Sequence, residues 1–229
     1  MKGYTGKMLF VDLGKRTAKE QEIPESWLKD YLGGEGVAMR LFYDLVHTDQ
    51  APLDPAQPLI FATGPLTGTA APCSGRCCAV FYSPATGTLG AANAGGHFAP
   101  ALKRAGWDLL VIVGKADKPV YLYINNDQVE FRDAAGLWGQ GVTDTENAIT
   151  AELGVKGLQI ASIGPAGEKG VLFSAIMTDK HRAFGRGGPG ATMGSKLLKA
   201  VAVKGSKQLP IGDKEALKMA DGRDRPRYA

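Results

Sequence analysis

The chain has 229 residues, of which 44% are hydrophobic and 22% are charged, and its net charge is +4. These values are typical of soluble globular proteins, and without a stripe of basic residues so small an excess of positive charge does not indicate nucleic-acid binding. No run of 18 apolar residues is present, and a strand pattern follows Met1 where a signal peptide would have its apolar segment. We therefore expect a cytoplasmic protein that binds neither nucleic acid nor a membrane.

Apolar runs separated by turn residues predict most strands of the chain. The predicted strands are 8–13, 18–23, 59–63, 77–82, 109–113, 120–124, 129–131, 158–163, 171–176 and 200–203. Helices are predicted over 24–32, after Gly36, and over 98–105. Capping-box spacing at residues 143–146 predicts a further helix that ends at Gly154. We expect a frayed helix over 213–220 and disorder over 221–229.

Cys73, Cys77 and Cys78 are too few and too clustered for a disulfide framework. Adjacent cysteines on a strand point to opposite faces, and a tetrahedral metal or a cluster would need a fourth ligand. We expect these cysteines to be small buried apolar residues. We interpret Lys196, Lys199, Lys204 and Lys207 as a solvent-exposed face.

Two glycine-rich stretches stand out from this pattern. Residues 181–196 contain five glycines together with Arg182 and Arg186, and residues 64–96 contain Arg76, Asn93, Gly95 and Gly96. Glycine allows a ligand to approach the main chain closely, and arginine presents a fork of donors that suits phosphate oxygens. We interpret the two stretches as loops that share one ligand.

An internal repeat supports this interpretation. Gly95-Gly96, Leu102-Lys103, Gly114-Lys115 and Pro119-Val120 occur in the same order as Gly187-Gly188, Leu198-Lys199, Gly205-Ser206 and Pro210-Ile211. Upstream, residues 62–65 similarly match residues 162–165. We therefore expect a duplicated unit in which the two glycine loops occupy equivalent places.

Several motifs resemble the N-terminal domain of the tungsten-containing aldehyde ferredoxin oxidoreductases, over about residues 3–214. The motifs are GPLTGT at 64–69, Gly75-Arg76, SPxTG at 83–87, NxGG at 93–96, IGPAGE at 163–168 and HRAxGRGGxGAxMGSK at 181–196. The resemblance implies an α+β fold with two mainly antiparallel β-sheets, related by an internal pseudo-twofold duplication and accompanied by a few short helices. It also implies a cofactor-cradle domain over residues 1–212, followed by the frayed helix and tail at 213–229.

The family resemblance also implies the cofactor and the residues that bind it. Its enzymes hold a tungsten or molybdenum ion through two pyranopterins, with Mg²⁺, beside one [4Fe-4S] cluster, and they oxidise aldehydes to carboxylic acids with ferredoxin as acceptor. The implied cofactor-binding residues are Arg76, Asn93, Gly95, Arg182, Ala183 and Gly185. The arginines would take pterin phosphates, and Asn93 would offer a donor and an acceptor to a pterin edge.

In the resembled family, the cluster cysteines and the proton-transfer residues lie beyond this domain. The chain is therefore expected to be inactive alone and to need a cluster-bearing remainder of the enzyme as partner. Three alternatives stay open: a fragment or split subunit of the enzyme, a non-catalytic module that binds pterin or another phosphorylated ligand, and a domain left without its partner.

Overall fold

A computed structural model describes residues 1–209 and 211–224 of the chain, with side chains up to residue 220. Two six-stranded sheets form its framework. Sheet A contains β1 (Lys7–Asp12), β2 (Thr17–Glu22), β3 (Leu59–Thr63), β4 (Cys77–Tyr82), β5 (Leu89–Ala94) and β6 (Leu109–Val113). Sheet B contains β7 (Val120–Asn125), β8 (Gln128–Asp133), β9 (Gln159–Ser162), β10 (Ile176–Thr178), β11 (Arg182–Phe184) and β12 (Leu198–Lys204).

The two sheets have the same topology. Sheet A has the order β2-β1-β6-β3-β4-β5, and sheet B, taken from the corresponding edge, has the order β8-β7-β12-β9-β10-β11. Each sheet contains a single parallel pair, β1 with β6 and β7 with β12, and its other pairs are antiparallel. The predicted α+β class, with two mainly antiparallel sheets and an internal duplication, is confirmed.

The hydrogen bonds after β3 and β9 identify equivalent residues in the two halves. The Thr63 amide donates to the Asp108 carbonyl at 2.8 Å, and the Ile163 amide donates to the Lys199 carbonyl at 3.1 Å. Residues 62–65 and 162–165 are therefore structurally equivalent, as their sequence match indicated. The match of Leu102-Lys103 with Leu198-Lys199 was wrong, because the first pair lies in a helix and the second begins β12. Pro210, in the last match, lies outside the described residues.

Seven helices accompany the sheets in the described part of the chain. They are α1 (Glu25–Tyr31), α2 (Glu35–Leu45), α3 (Phe98–Ala105), α4 (Val142–Leu153), α5 (Pro165–Glu168), α6 (Pro189–Ser195) and α7 (Lys214–Asp224). The inner faces of both sheets share one apolar core, to which α3 and α6 contribute. The outer face of sheet A packs against α1 and α2, and that of sheet B against α4. Within residues 1–209 and 211–224, no helix is long and apolar enough to cross a membrane.

Several local predictions differ from the structure. β5 and β11 lie in stretches that glycine content had indicated as loops, and residues 171–175 form a turn where a strand was predicted. The helix α4 begins after Gly141 without a side-chain cap, so the capping box was wrong, although Gly154 does end the helix in the left-handed conformation. The last helix continues to Asp224, past its predicted end and into the stretch predicted to be disordered, of which residues 225–229 lie outside the described residues.

Two of the four lysines expected on an exposed face are fully buried. The Lys196 amine donates to the carbonyls of Pro55 and Gln57, at 2.6 Å each. Lys199 forms a buried ion pair with Glu168. Burying an amine is costly unless it has hydrogen-bond or ionic partners, and both amines have them. These two lysines are therefore part of the core.

Asp108, the residue of the first half that is equivalent to Lys199, is also buried and charged. It pairs with Lys103 and accepts hydrogen bonds from the Thr5 and Gly6 amides. Both halves therefore bury an ion pair at the same place, with the charge at the equivalent position reversed.

Candidate functional site

The edge strands β5 and β11 pack against each other, so that the two sheets meet at equivalent strands. Beside them lies a concavity of about 510 Å³, lined by Arg76, Ala91, Asn93, Ala183, Gly185 and Arg186. These residues come from both glycine-rich stretches. The structure thus brings the two stretches to one surface, as the hypothesis of a shared ligand requires.

The strand register shows that this concavity combines equivalent residues of the two halves. Asn93 pairs with Cys78, which pairs with Ala62, and Ala183 pairs with Met177, which pairs with Ser162. Since Ala62 and Ser162 are equivalent, Asn93 and Ala183 are equivalent too. One ligand placed here would contact the same position of each half.

Hydrogen bonds tie the two stretches together around this surface. The Ser83 hydroxyl donates to the Gly187 carbonyl at 2.7 Å, and the His97 amide donates to the Asp179 carboxylate at 2.8 Å. Gly96 is essential to the second contact, because it has a φ of +109° and a Cβ there would lie 1.8 Å from the Asp179 Oδ2 atom. The relative position of the stretches is therefore fixed by the fold before any ligand binds.

Three arginines near the concavity have free guanidinium groups. Arg76, Arg182 and Arg186 are exposed, and no carboxylate of the described residues forms an ion pair with any of them. Unpaired guanidinium groups beside a polar concavity are suited to bind phosphate or carboxylate groups of a ligand.

Four of the six residues that the family resemblance implied line the concavity, namely Arg76, Asn93, Ala183 and Gly185. Arg182 precedes Ala183 on β11, and Gly95 directly follows β5, so both flank the surface. A Cβ at Gly95 would meet no atom within 4 Å, which leaves its main chain open to a ligand. Arg186 and Ala91 were not among the implied cofactor-binding residues, although the sequence analysis named Arg186 in the same glycine-rich stretch as Arg182.

A second concavity, of about 300 Å³, adjoins the first and shares Arg76 and Asn93 with it. Glu35, at the start of α2, lies in this second concavity and was not predicted. Its Oε2 atom accepts hydrogen bonds from the Asn93 amide at 3.1 Å and from the Cys78 thiol at 3.6 Å. The only sequence signal was the glycine run around Glu35, which separates the helix predicted over 24–32 from the helix predicted after Gly36.

Cys77 and Cys78 are both buried, as predicted, but the prediction was wrong for Cys73, which is exposed. Cys77 faces the core between the sheets, while Cys78 faces the core under α1 and α2, so the two thiols point to opposite faces. Burial raises the pKa of Cys77 to about 12. Burial, followed by the charge of Glu35, raises the pKa of Cys78 as well. Both thiols therefore stay protonated near neutral pH, and neither is a ready metal ligand.

Residues 8–205 match the family described as aldehyde ferredoxin oxidoreductase, N-terminal domain. The chain belongs to this family. It is 50% identical over 214 residues to the tungsten-containing aldehyde ferredoxin oxidoreductase of Pyrococcus abyssi, a match that covers 93% of the chain and 35% of that relative. The match to the aliphatic sulfonate oxidoreductase, WOR-like subunit, of Pyrococcus furiosus is 38% identical and covers 96% of the chain and 37% of that subunit.

A solved structure has the same fold. It is the active-site complex BamBC of benzoyl coenzyme A reductase with 1,5-dienoyl-CoA, which matches with a TM-score of 0.95 and 38% identity. The match covers 98% of this chain and 34% of that one. The chain thus spans about a third of the length of these relatives.

Proposed function

We propose that the chain forms the cofactor cradle of a tungsten- or molybdenum-dependent aldehyde oxidoreductase, and that its ligand is a bis-pyranopterin metal cofactor. The observation that carries the proposal is the concavity between β5 and β11, where equivalent residues of two duplicated halves meet. A ligand made of two like pterins fits a surface made of two like halves. The 50% identity to a tungsten-containing enzyme supports this assignment.

The residues present also fit the chemistry of such a cofactor. Arg76 and Arg186 line the concavity and Arg182 flanks it, so their guanidinium groups would hold pterin phosphates as bidentate donors. Gly95 and Gly185 would admit the pterin against the main chain, because a Cβ at Gly95 would meet nothing within 4 Å and one at Gly185 would meet only the Ala183 side chain. The concavity has a volume in the range usual for small-molecule sites.

The metal itself would depend on the pterins for its ligands. Within residues 1–209 and 211–224, no three His, Cys, Asp or Glu side chains are grouped so that they could hold a metal ion. Mg²⁺ commonly binds through phosphates and water with few protein ligands, so an accompanying Mg²⁺ would likewise be held mainly by the cofactor's phosphates.

When bound, the cofactor would supply the two-electron oxidation of an aldehyde to a carboxylic acid, with electrons passed through a [4Fe-4S] cluster to ferredoxin. The chain's own residues would bind and orient the pterins. We infer that the cluster ligands and the proton-transfer groups belong to a partner or to a further part of the enzyme, and that the chain alone does not oxidise aldehydes.

A second candidate function is a non-catalytic module, or split subunit, that binds the pterin without turnover. It is favoured by the extent of the fold, because both sheets, the shared core and the concavity are contained within a third of the relatives' length. The two candidates differ in whether addition of a cluster-bearing partner produces aldehyde oxidation.

The test is to isolate the chain from a host supplied with tungstate or molybdate and to measure metal by elemental analysis and pterin by fluorescence after acid release. We expect pterin in the wild-type chain and its loss in the Arg76→Ala/Arg182→Ala double variant. Arg16→Ala/Arg104→Ala is the matched control, since both residues are exposed and line neither concavity. Wild-type pterin content in the first double variant would overturn the phosphate roles.

A further inference from the structure

The backbone conformation around Glu35 depends on the glycines on either side of it. It is the first residue of α2, between Gly34, which has a φ of +55°, and Gly36, where a Cβ would lie 2.5 Å from the Tyr31 carbonyl oxygen. The Gly34 amide is anchored to the Thr63 carbonyl at 3.0 Å, at the end of β3. The glycine run therefore brings the start of α2 close to sheet A and carries Glu35 to the edge of the ligand surface.

The contacts of Glu35 determine how the Asn93 amide is oriented. An ionised carboxylate can only accept hydrogen bonds, so the group that Asn93 turns toward Glu35 must be its NH₂. The Cys78 thiol donates to the same Oε2 atom. Because burial raises its pKa, Cys78 keeps its proton and stays a donor to Glu35, as Asn93 is. Two donors from neighbouring strands thus hold one carboxylate oxygen.

We propose that Glu35 is a positioning residue that fixes the Asn93 amide, with its NH₂ on Glu35 and its Oδ1 atom turned toward the concavity between β5 and β11. Asn93 lines both concavities, whereas Glu35 lines only the second, so the two ends of the amide serve different surfaces. The proposal rests on the proposed cofactor site and adds a role to it. Asn93 presents its Oδ1 atom there as an acceptor for an electropositive group of the ligand, and the phosphate oxygens are left to the arginines.

A carboxylate next to a phosphate-binding surface would ordinarily weaken that surface by repulsion. Here Glu35 does not line the first concavity, and its carboxylate accepts hydrogen bonds from Asn93 and Cys78. This arrangement gives Asn93 a single orientation, which a neutral partner would not do. A glutamine at position 35 could accept from the Asn93 NH₂ or donate to its Oδ1, so the amide could take either orientation.

The orientation can be measured without any ligand, from the side-chain amide resonances of Asn93 in ¹⁵N-labelled chain. Those resonances are identified by their absence in Asn93→Ala. We expect one Asn93 amide proton to be shifted downfield by the carboxylate in the wild type, and this shift to be lost in Glu35→Gln while the backbone spectrum stays folded. Glu22→Gln, which changes an exposed carboxylate on β2, is the control and should leave the shift unchanged. An unshifted Asn93 amide in the wild type would overturn the proposal.

The consequence for binding is tested by a double-mutant cycle on the rate at which pterin dissociates from the isolated chain. We expect Glu35→Gln to raise that rate on the order of tenfold, the scale found when partners that orient a ligand-binding group are removed. In the Asn93→Ala background, Glu35→Gln should have no further effect, because Glu35 acts only through Asn93. Additive effects would show that Glu35 merely supports the structure of α2 and would refute the positioning role.

The two proposals fail in different ways. If the wild-type chain carries no pterin, the proposed cofactor function fails, and the Asn93 resonances still decide whether Glu35 orients the amide. If pterin is bound but Glu35→Gln leaves both the resonances and the dissociation rate unchanged, the cofactor site stands and the role of Glu35 is refuted.

Discussion

Lys196 should make the stability of the chain depend on pH. Its amine is fully buried, and burial lowers its pKa from 10.5 to about 7, partly opposed by the charges of Asp54 and Asp12. In the unfolded chain the amine keeps a proton up to pH 10.5, whereas in the folded chain it loses that proton above about pH 7. The unfolded state therefore binds more protons between these values, and the free energy of unfolding rises with pH across that window.

The size of the effect follows from the two pKa values. The difference between 10.5 and about 7 corresponds to about 5 kcal/mol over the whole window, and to about 2 kcal/mol between pH 7 and pH 9, since the folded amine is half protonated at pH 7. The carbonyls of Pro55 and Gln57 also favour the protonated amine, so these figures are upper limits. Below pH 7 both states are protonated, and this group then adds no further pH dependence.

The variant Lys196→Met removes the amine but keeps a long unbranched side chain. At pH 9 it should be less stable than the wild type by roughly 2 kcal/mol or more, because two buried carbonyls lose their donor. As the pH falls to 7, the wild type should lose up to about 2 kcal/mol through this group, which the variant does not lose, so the difference in stability between the two proteins narrows.

Urea denaturation followed by circular dichroism at pH 6, 7, 8 and 9 measures these free energies. The control is Lys19→Met, which changes an exposed lysine on β2 and should keep the wild-type pH dependence. If Lys196→Met shows the same rise in stability with pH as the wild type, Lys196 does not deprotonate in this window and the reasoning is wrong.

Two further predictions concern the buried ion pair and the contact between the glycine-rich stretches. Lys199→Met should lower the free energy of unfolding by roughly 3–5 kcal/mol, because it leaves Glu168 buried without its partner, and the double variant with Glu168→Gln should recover part of the loss in urea denaturation. Gly96→Ala should lower the melting temperature, since its Cβ would overlap the Asp179 carboxylate, whereas Gly136→Ala, with no atom within 4 Å, should not. Equal melting temperatures for the two alanine variants would contradict the close contact at Gly96.

Much of the fold could be predicted from the sequence where apolar runs are long. The strands β3, β4 and β6 have nearly continuous apolar sequences, and their predicted bounds agree with the structure. The repeat was visible because it places turn residues, which carry a local signal, at the same point of each half. The glycine-rich stretches pointed to Arg76 and Asn93 among the residues that line the concavity, and the resemblance to a family added Ala183, which composition and spacing alone would not have selected.

The parts that were missed depend on contacts between residues distant in the chain. The small residues of β5 suggested a loop, but Gly90 lies against the Phe81 ring, and a Cβ there would lie 2.9 Å from that ring. Lys196 looked exposed because its partners, Pro55 and Gln57, lie about 140 positions earlier. Glu35 meets Asn93 across 58 positions. None of these contacts leaves a periodic pattern in the sequence from which it could be predicted.

The reversed ion pairs have a consequence for how the two halves depend on each other. Lys103 and Asp108 lie in the first half, and Glu168 and Lys199 lie in the second, so each of these buried ion pairs is contained within one half. The apolar inner faces, in contrast, are covered only when both sheets are present. A chain cut between β6 and β7 would therefore give two pieces that each keep a buried ion pair and expose an apolar surface that fits the other. Reassembly from separate pieces would then be driven mainly by hydrophobic burial, and polar contacts across the cut, such as those of Lys196 with Pro55 and Gln57 and of His97 with Asp179, would form along with it.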